Sequence, residues 1–215
     1  MTEKAGRGRA VLWVGLAAFA GLLAGVGAVY VSERGAGNGD TADCGDVSTF
    51  AATLRPHARG EVAAFIPAER AISLKALAFE TPEGEKKTIA DFAGNTLFLN
   101  LWATWCAPCR AEMPAIDRLS TKAPDGVKIA AVNIDTGAYS KAEDFLAEIG
   151  VANLDKYLDP KMKIFNDLKA EGLAVGLPTT LLISRKGCAL GVMNGPAEWD
   201  SPDALTLIEA AAKES

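Results

Sequence analysis

Residues 96–109, TLFLNLWATWCAPC, run from a near-continuous apolar stretch straight into two cysteines separated by two residues. A strand with one face in water alternates apolar and polar residues; 96–103 does not, so it reads as a central strand buried on both faces of a sheet. Residues 107–123, APCRAEMPAIDRLSTKA, read as a helix that Pro114 is expected to kink. The cysteine pair therefore sits at a strand-to-helix junction. Cys106 falls at or just before the helix N-terminus, where free backbone N–H groups and the helix dipole favour a thiolate. Cys109 lies one turn further in, within reach of a mixed disulfide formed at Cys106. Pro108 suits the first helical turn, where its missing N–H costs no intrahelical bond.

Three other uses of such a pair fit less well. Covalent haem attachment requires histidine after the second cysteine, and Arg110 stands there. A structural zinc site needs four ligands, commonly two such pairs, and there is no second pair. A purely structural disulfide rarely joins residues this close at a helix start. Redox catalysis through Cys106 and Cys109 is the expected chemistry.

The flanking sequence reads as an α/β domain with a mixed sheet. Residues 47–65 have helical spacing on either side of Pro56 and suggest two short helices. Residues 76–89, ALAFETPEGEKKTI, read as a hairpin. A second buried strand is expected over 127–135, a helix over 140–150 stopped by Gly150, a short strand before Pro160 and a helix over 161–170. Strands at 178–184 and 188–195 form a hairpin around Arg185-Lys186-Gly187, and an amphipathic helix closes the chain.

Ahead of this domain, Lys4, Arg7 and Arg9 precede Val11–Val31, which carry no charge. As a helix these 21 residues would span about 31 Å, close to the hydrocarbon thickness of a bilayer. The basic flank places residues 1–10 in the cytoplasm and exports the chain beyond Val31. A retained transmembrane anchor is the expected form. A cleaved signal peptide, with Val26-Gly27-Ala28 as a cleavage site, and a buried core helix are the alternatives. Residues 32–43 are Gly-rich and polar, a linker by composition. Residues 44–71 form an N-terminal extension and 72–215 the main domain, in the inner-membrane topology that puts the catalytic part in the periplasm.

The formal net charge of −5 and the scattered Lys and Arg argue against a nucleic-acid partner. The single histidine, His57, leaves little for a metal site or a serine hydrolase and reads as a surface residue. No cofactor or metal is expected.

NLWATWCAPCRAEMP, with GLPTTLLI about 70 residues later, resembles the TlpA-type thiol:disulfide interchange proteins, membrane-anchored members of the thioredoxin family. The resemblance covers residues 72–213. It implies a thioredoxin fold with an inserted helix-strand segment near 140–158, a cis-Pro178 facing the cysteines, and Trp102 and Trp105 beside them. It also marks Trp105, Leu177, Pro178 and Thr179 as substrate contacts, with an extended substrate segment pairing against the backbone around Pro178. Thioredoxin carries a buried aspartate six residues before its first cysteine; this chain has Asn100, which cannot exchange a proton. Glu112, three residues after Cys109 on the same helical face, is the expected replacement, the alternative being a solvated glutamate. Arg110 reads as a solvated side chain or as a determinant for acidic partners.

The resemblance is to reductases, and Ala107-Pro108 lacks the histidine that makes such a pair an oxidant. It implies a membrane electron donor drawing on cytoplasmic thioredoxin. The substrates it implies are disulfide-containing exported proteins of cytochrome assembly: copper-site assembly factors of cytochrome oxidase or apocytochrome c. Thr179 after the proline, where the haem branch has glutamate, favours the copper branch. A Cu(I)-binding metallochaperone and a net disulfide oxidase are the competing functions. Cys44 and Cys188 are the cysteines left over. On the exported side they are expected to pair as a structural disulfide, the alternative being two free buried thiols.

Overall fold

A computed structural model of the chain describes residues 44–214. The expected anchor at 11–31 lies outside the described residues, as do the linker and the cytoplasmic N-terminus. Among the described residues, no helix is long and apolar enough to cross a membrane.

The described residues contain five α-helices and eight strands, the strands forming one mixed sheet: α1 (Gly45–Ala52), β1 (Ile66–Pro67), β2 (Ala78–Glu80), β3 (Lys86–Thr88), β4 (Thr96–Trp102), α2 (Ala107–Lys122), β5 (Val127–Asn133), α3 (Ser140–Glu148), β6 (Lys156–Leu158), α4 (Lys163–Ala170), β7 (Thr179–Ile183), β8 (Ala189–Asn194) and α5 (Pro202–Ala211). The strand order is β1-β8-β7-β4-β5-β6-β2-β3. β4, β5 and β6 run parallel, and the other neighbours are antiparallel. This is the thioredoxin-like fold expected from the sequence. Every residue of β4 is buried, so both faces of the sheet are covered at its centre. That is why its sequence is apolar without alternation. The inserted segment is α3 and β6, which extend the parallel part of the sheet beyond β5. Gly150 comes after α3 with φ +73°, a left-handed conformation that ends the helix cheaply only at glycine.

The extension differs from expectation after α1. The second helix is replaced by two single 3₁₀ turns, Arg55–His57 and Gly60–Val62. Pro56 has no N–H to extend a helix back towards α1, and Gly60 at φ +54° breaks the run again. α2, by contrast, runs from Ala107 to Lys122 through Pro114. α4 begins two residues later than expected, because Met162 takes a left-handed φ of 54° before it.

The extension is fastened to the sheet in three ways. α1 packs on β8. β1 pairs with β8 through Ile66↔Val192 and Pro67↔Gly191, where Gly191 allows a close approach: a Cβ there would lie 2.4 Å from the Phe65 ring. Cys44, at the start of α1, forms a disulfide with Cys188, which is bridged to Ser73 beside β8. Both cysteines are fully buried.

Candidate active site

The chain leaves β4 at Trp102, turns through Ala103-Thr104-Trp105, and enters α2 at Cys106. The turn is held by the neighbouring parallel strand. The Ile134 N–H donates to the Trp102 carbonyl at 2.9 Å, and the Thr104 N–H donates to both carboxylate oxygens of Asp135 at 3.1 and 3.2 Å. Cys106 is the N-cap residue of α2, with extended backbone, and its Sγ accepts the Cys109 N–H at 3.3 Å. A sulfur in this position meets the free N–H groups and the positive end of the helix, which stabilise a thiolate. Cys106 and Cys109 are disulfide-bonded with their Cα atoms 5.3 Å apart. Cys109 is fully buried and Cys106 keeps 6 % of its surface exposed, so Cys106 is the more accessible residue of the pair.

The two tryptophans part company. Trp105 is 62 % exposed beside the pair, whereas Trp102 is buried, with its ring 6.0 Å from Phe145 of the inserted helix. Phe145 also carries Arg110, whose guanidinium lies 4.6 Å above the ring. Arg110 is exposed but docked on an aromatic face, an attraction that restrains a charge next to Cys109.

Antiparallel pairing of β7 with β4 sets Thr179 opposite Leu101, so Leu177-Pro178 reaches the same end of the sheet as the cysteine turn. The Leu177–Pro178 peptide is cis. Leu177 is half-buried, and Val175, two residues earlier, is 78 % exposed. Thr179, expected as a substrate contact together with Leu177 and Pro178, is the first residue of β7. β7 lies inside the sheet, and Thr179 pairs with Leu101 on one side and Asn194 on the other. Its side chain is fully buried, with Oγ1 within hydrogen-bond distance of the Gly176 carbonyl (2.6 Å) and Asn194 Oδ1 (2.9 Å). Any extended segment that pairs here has to use the backbone before the proline, at Leu177.

Glu112 is no solvated glutamate. It is 2 % exposed, one turn beyond Cys109. Oε1 accepts from Asn100 Nδ2 at 2.8 Å; Oε2 accepts from the Ala197 N–H at 3.2 Å and Trp199 Nε1 at 3.1 Å. Asn100 Nδ2 also donates across the sheet to Thr180 Oγ1 at 2.9 Å, as the Asn100↔Thr180 register requires. Burial pushes the Glu112 carboxyl up to about 7, against the three hydrogen bonds, which favour its charged form. Asn100 and Glu112 thus meet as a pair: the amide steers the carboxyl that can exchange a proton near neutrality.

Ala197, Trp199, Thr180, Asp135 and Phe145 are site neighbours that sequence reasoning missed. Asp135 at the end of a buried strand was the nearest to a signal; the others lie far along the chain and meet α2 or β4 only in three dimensions. Among the described residues, no cluster of three or more His, Cys, Asp or Glu side chains is arranged to hold a metal ion.

A mixed sheet with a C-x-x-C pair capping the helix after its central strand, and a cis-proline at the same sheet end, defines a thioredoxin-like protein. The chain belongs to the Redoxin family, whose sequence profile matches residues 69–208. Among named relatives, it is 36 % identical over 111 residues to the thioredoxin-like protein YneN of Bacillus subtilis, covering 50 % of this chain and 61 % of that one. It is 34 % identical over 119 residues to the thiol-disulfide oxidoreductase ResA of Bacillus thuringiensis subsp. konkukian, covering 53 % of this chain and 62 % of that one. The chain thus spans about three fifths of the length of the curated relatives it matches. Among solved structures, a Chlorobium tepidum protein described as a thiol:disulfide interchange protein DsbE superposes with a TM-score of 0.55 at 30 % identity, over 65 % of this chain and 95 % of that one. The resemblance to TlpA- and ResA-type proteins is borne out.

Proposed function

We propose that the protein is a thiol:disulfide oxidoreductase that reduces disulfides in exported proteins through Cys106 and Cys109. The observation that carries this reading is the near-neutral, buried carboxyl of Glu112 one helical turn behind a cysteine pair that caps a helix. In the reduced protein, the Cys106 thiolate attacks one sulfur of a substrate disulfide. A Cys106–substrate bond forms, the substrate S–S bond breaks, and the leaving thiolate takes a proton from solvent. Cys109 then gives up its proton, with Glu112 as the acceptor, and attacks Cys106 Sγ. The mixed disulfide breaks, the Cys106–Cys109 bond forms, and the second substrate sulfur leaves as a thiolate that takes up the proton held by Glu112, restoring the carboxylate. Two electrons and two protons pass to the substrate. A donor dithiol must return the electrons.

The reductive direction is supported by Ala107-Pro108 between the cysteines, which include no histidine to stabilise the dithiol. We place the chain in the membrane by its sequence: residues 1–10 cytoplasmic, 11–31 as anchor, 32–43 as linker, 44–71 as extension and 72–215 as the catalytic domain on the periplasmic side. An oxidising compartment removes electrons from exposed thiols, so a reductant there needs a membrane donor, and an anchor confines it to one. The substrates in this reading are copper-site assembly factors of cytochrome oxidase or apocytochrome c. Cys109→Ser tests it directly. In cells this variant should hold substrates at Cys106 as mixed disulfides that mass spectrometry identifies. Recovery of no protein adduct, or turnover unimpaired by the substitution, would sink the reading.

A further inference from the structure

Beyond β8, residues 197–200 are fastened to α2 from two sides. Inside, the Ala197 N–H and Trp199 Nε1 both donate to Glu112 Oε2, and the buried Trp199 ring packs edge-on against Phe98, centroids 4.9 Å apart. Outside, Asp200 binds Arg118 at 2.8 and 3.0 Å and Lys122 at 3.0 Å, and Glu198 lies 3.5 Å from Arg118. Glu112, Arg118 and Lys122 all belong to α2, so one short segment runs along the redox helix as a strap. Nothing in a C-x-x-C motif asks for a tryptophan some ninety residues later.

The hydrogen-bond chemistry of the cage is one-sided. An indole and a backbone amide only donate, so both partners of Oε2 stabilise the carboxylate and neither can accept a proton from the acid form. Around the carboxyl, β4 contributes Asn100, β7 Thr180 through that amide, and α2 the Cys109 sulfur one turn away. The charged groups of the strap, Glu198 and Asp200, are engaged with Arg118 and Lys122. Asp117, further along α2, is engaged with the Ala152 and Asn153 backbone. Burial and hydrogen bonds, with no charged neighbour, account for the proton affinity of Glu112.

We propose that Trp199 is a positioning residue for Glu112, its indole N–H fixing Oε2 and favouring the charged carboxylate that takes the Cys109 proton. This rests on the proposed function of Glu112 and adds the group that keeps it usable. Without the indole N–H, burial prevails and the carboxyl stays protonated at neutral pH.

Trp199→Phe removes the donor and keeps the ring against Phe98. In the disulfide form of the protein, the Glu112 carboxyl is tracked by ¹³C NMR of labelled glutamate across pH 5–9, with Glu112→Gln identifying the signal. The midpoint should rise by about one to two pH units in Trp199→Phe, since a hydrogen bond to a charged group is worth roughly that much. In the reduced protein, release of substrate from the mixed disulfide should slow roughly tenfold at pH 7 and recover at higher pH. An unmoved midpoint overturns the proposal. Should the variant fold poorly, the parent protein still decides: the indole Nε1–H resonance of Trp199 must titrate with the Glu112 midpoint and lose that titration in Glu112→Gln. An indole signal indifferent to pH across that range refutes it. A Glu112→Gln protein whose release step keeps the parental pH profile overturns something different, the role of Glu112 in proton exchange, while the two NMR readouts still judge Trp199.

Discussion

The chain holds two disulfides, one between residues three apart and one between residues 144 apart. The short one caps a helix, takes a backbone N–H onto sulfur, and lies beside an exposed tryptophan and a carboxyl poised near neutrality. The long one lies wholly inside, between an N-terminal helix and the last hairpin; the Cys188 N–H donates to Ser184 Oγ at 3.1 Å. What separates a bond built to turn over from one built to stay is the surroundings: helix end, access, and a group able to take the proton. The bond itself is common to both.

Breaking the short pair should produce the largest effect. Cys109→Ser abolishes turnover and accumulates adducts at Cys106, while Cys106→Ser abolishes turnover and accumulates none; a disulfide-reduction assay with gel-shift detection distinguishes them. The same contrast predicts that mild reduction opens Cys106–Cys109 first, with alkylation falling on Cys106 at neutral pH. Two labelled thiols under denaturing conditions are expected, and four would erase the distinction between the pairs.

Breaking the long pair should leave the chemistry and cost stability. The chain-entropy argument for a loop of this length gives up to about 5 kcal/mol. The double variant Cys44→Ser/Cys188→Ser should therefore shift strongly in denaturant melts, yet reduce substrate at the parental rate per folded molecule.

Glu112 sharpens the comparison from the proton side. Glu112→Gln should slow release from the mixed disulfide by roughly a hundredfold and slow the first attack less. Single-turnover kinetics over pH 6–9 measure both. The carboxyl also carries a stability signature. Its folded value of about 7 lies above the ordinary 4.5, so between those pH values the unfolded chain has lost a proton that the folded one keeps. Stability should fall as pH rises through that window, by up to about 3 kcal/mol, and level off above it. Denaturation curves at pH 4–8 should show this slope in the parent and its absence in Glu112→Gln.

The smallest effect is expected from the outer side of the strap. Arg118, then Lys122, hold the Asp200 carboxyl down to about 2. That contribution is present above about 4 and lost as pH falls towards 2, the opposite sense to Glu112. Because Arg118 and Lys122 are about half exposed, Asp200→Asn should cost only about 1 kcal/mol, less in high salt.

The parts of this molecule legible in sequence are those that local chemistry decides. β4 and β5 announce themselves because strands buried on both faces must be apolar throughout. Cys106 is legible because a motif, a strand before it and a helix after it agree. Adjacency to Pro178 does not reveal that Thr179 begins a strand flanked on both sides, which only the register shows. The stretch after α1 has helical spacing, but Pro56 and Gly60 override it within six residues. Trp199 and Ala197 leave no trace at all: a hydrogen bond to Glu112 from 85 or 87 residues away is a product of the fold.

The link between Cys44 and Cys188 also decides how the domain carries a load. A pull on the segment ahead of Cys44 enters the S–S bond and passes directly to Cys188. Residues 45–187, with the redox helix and β4 to β7 among them, form a closed covalent ring outside that path. Tension along the chain would strip β8 and α5 before it could extend anything in the ring, and a nick in a loop of the ring would leave both fragments joined. Under such a pull the redox centre lies inside the ring and bears none of the tension.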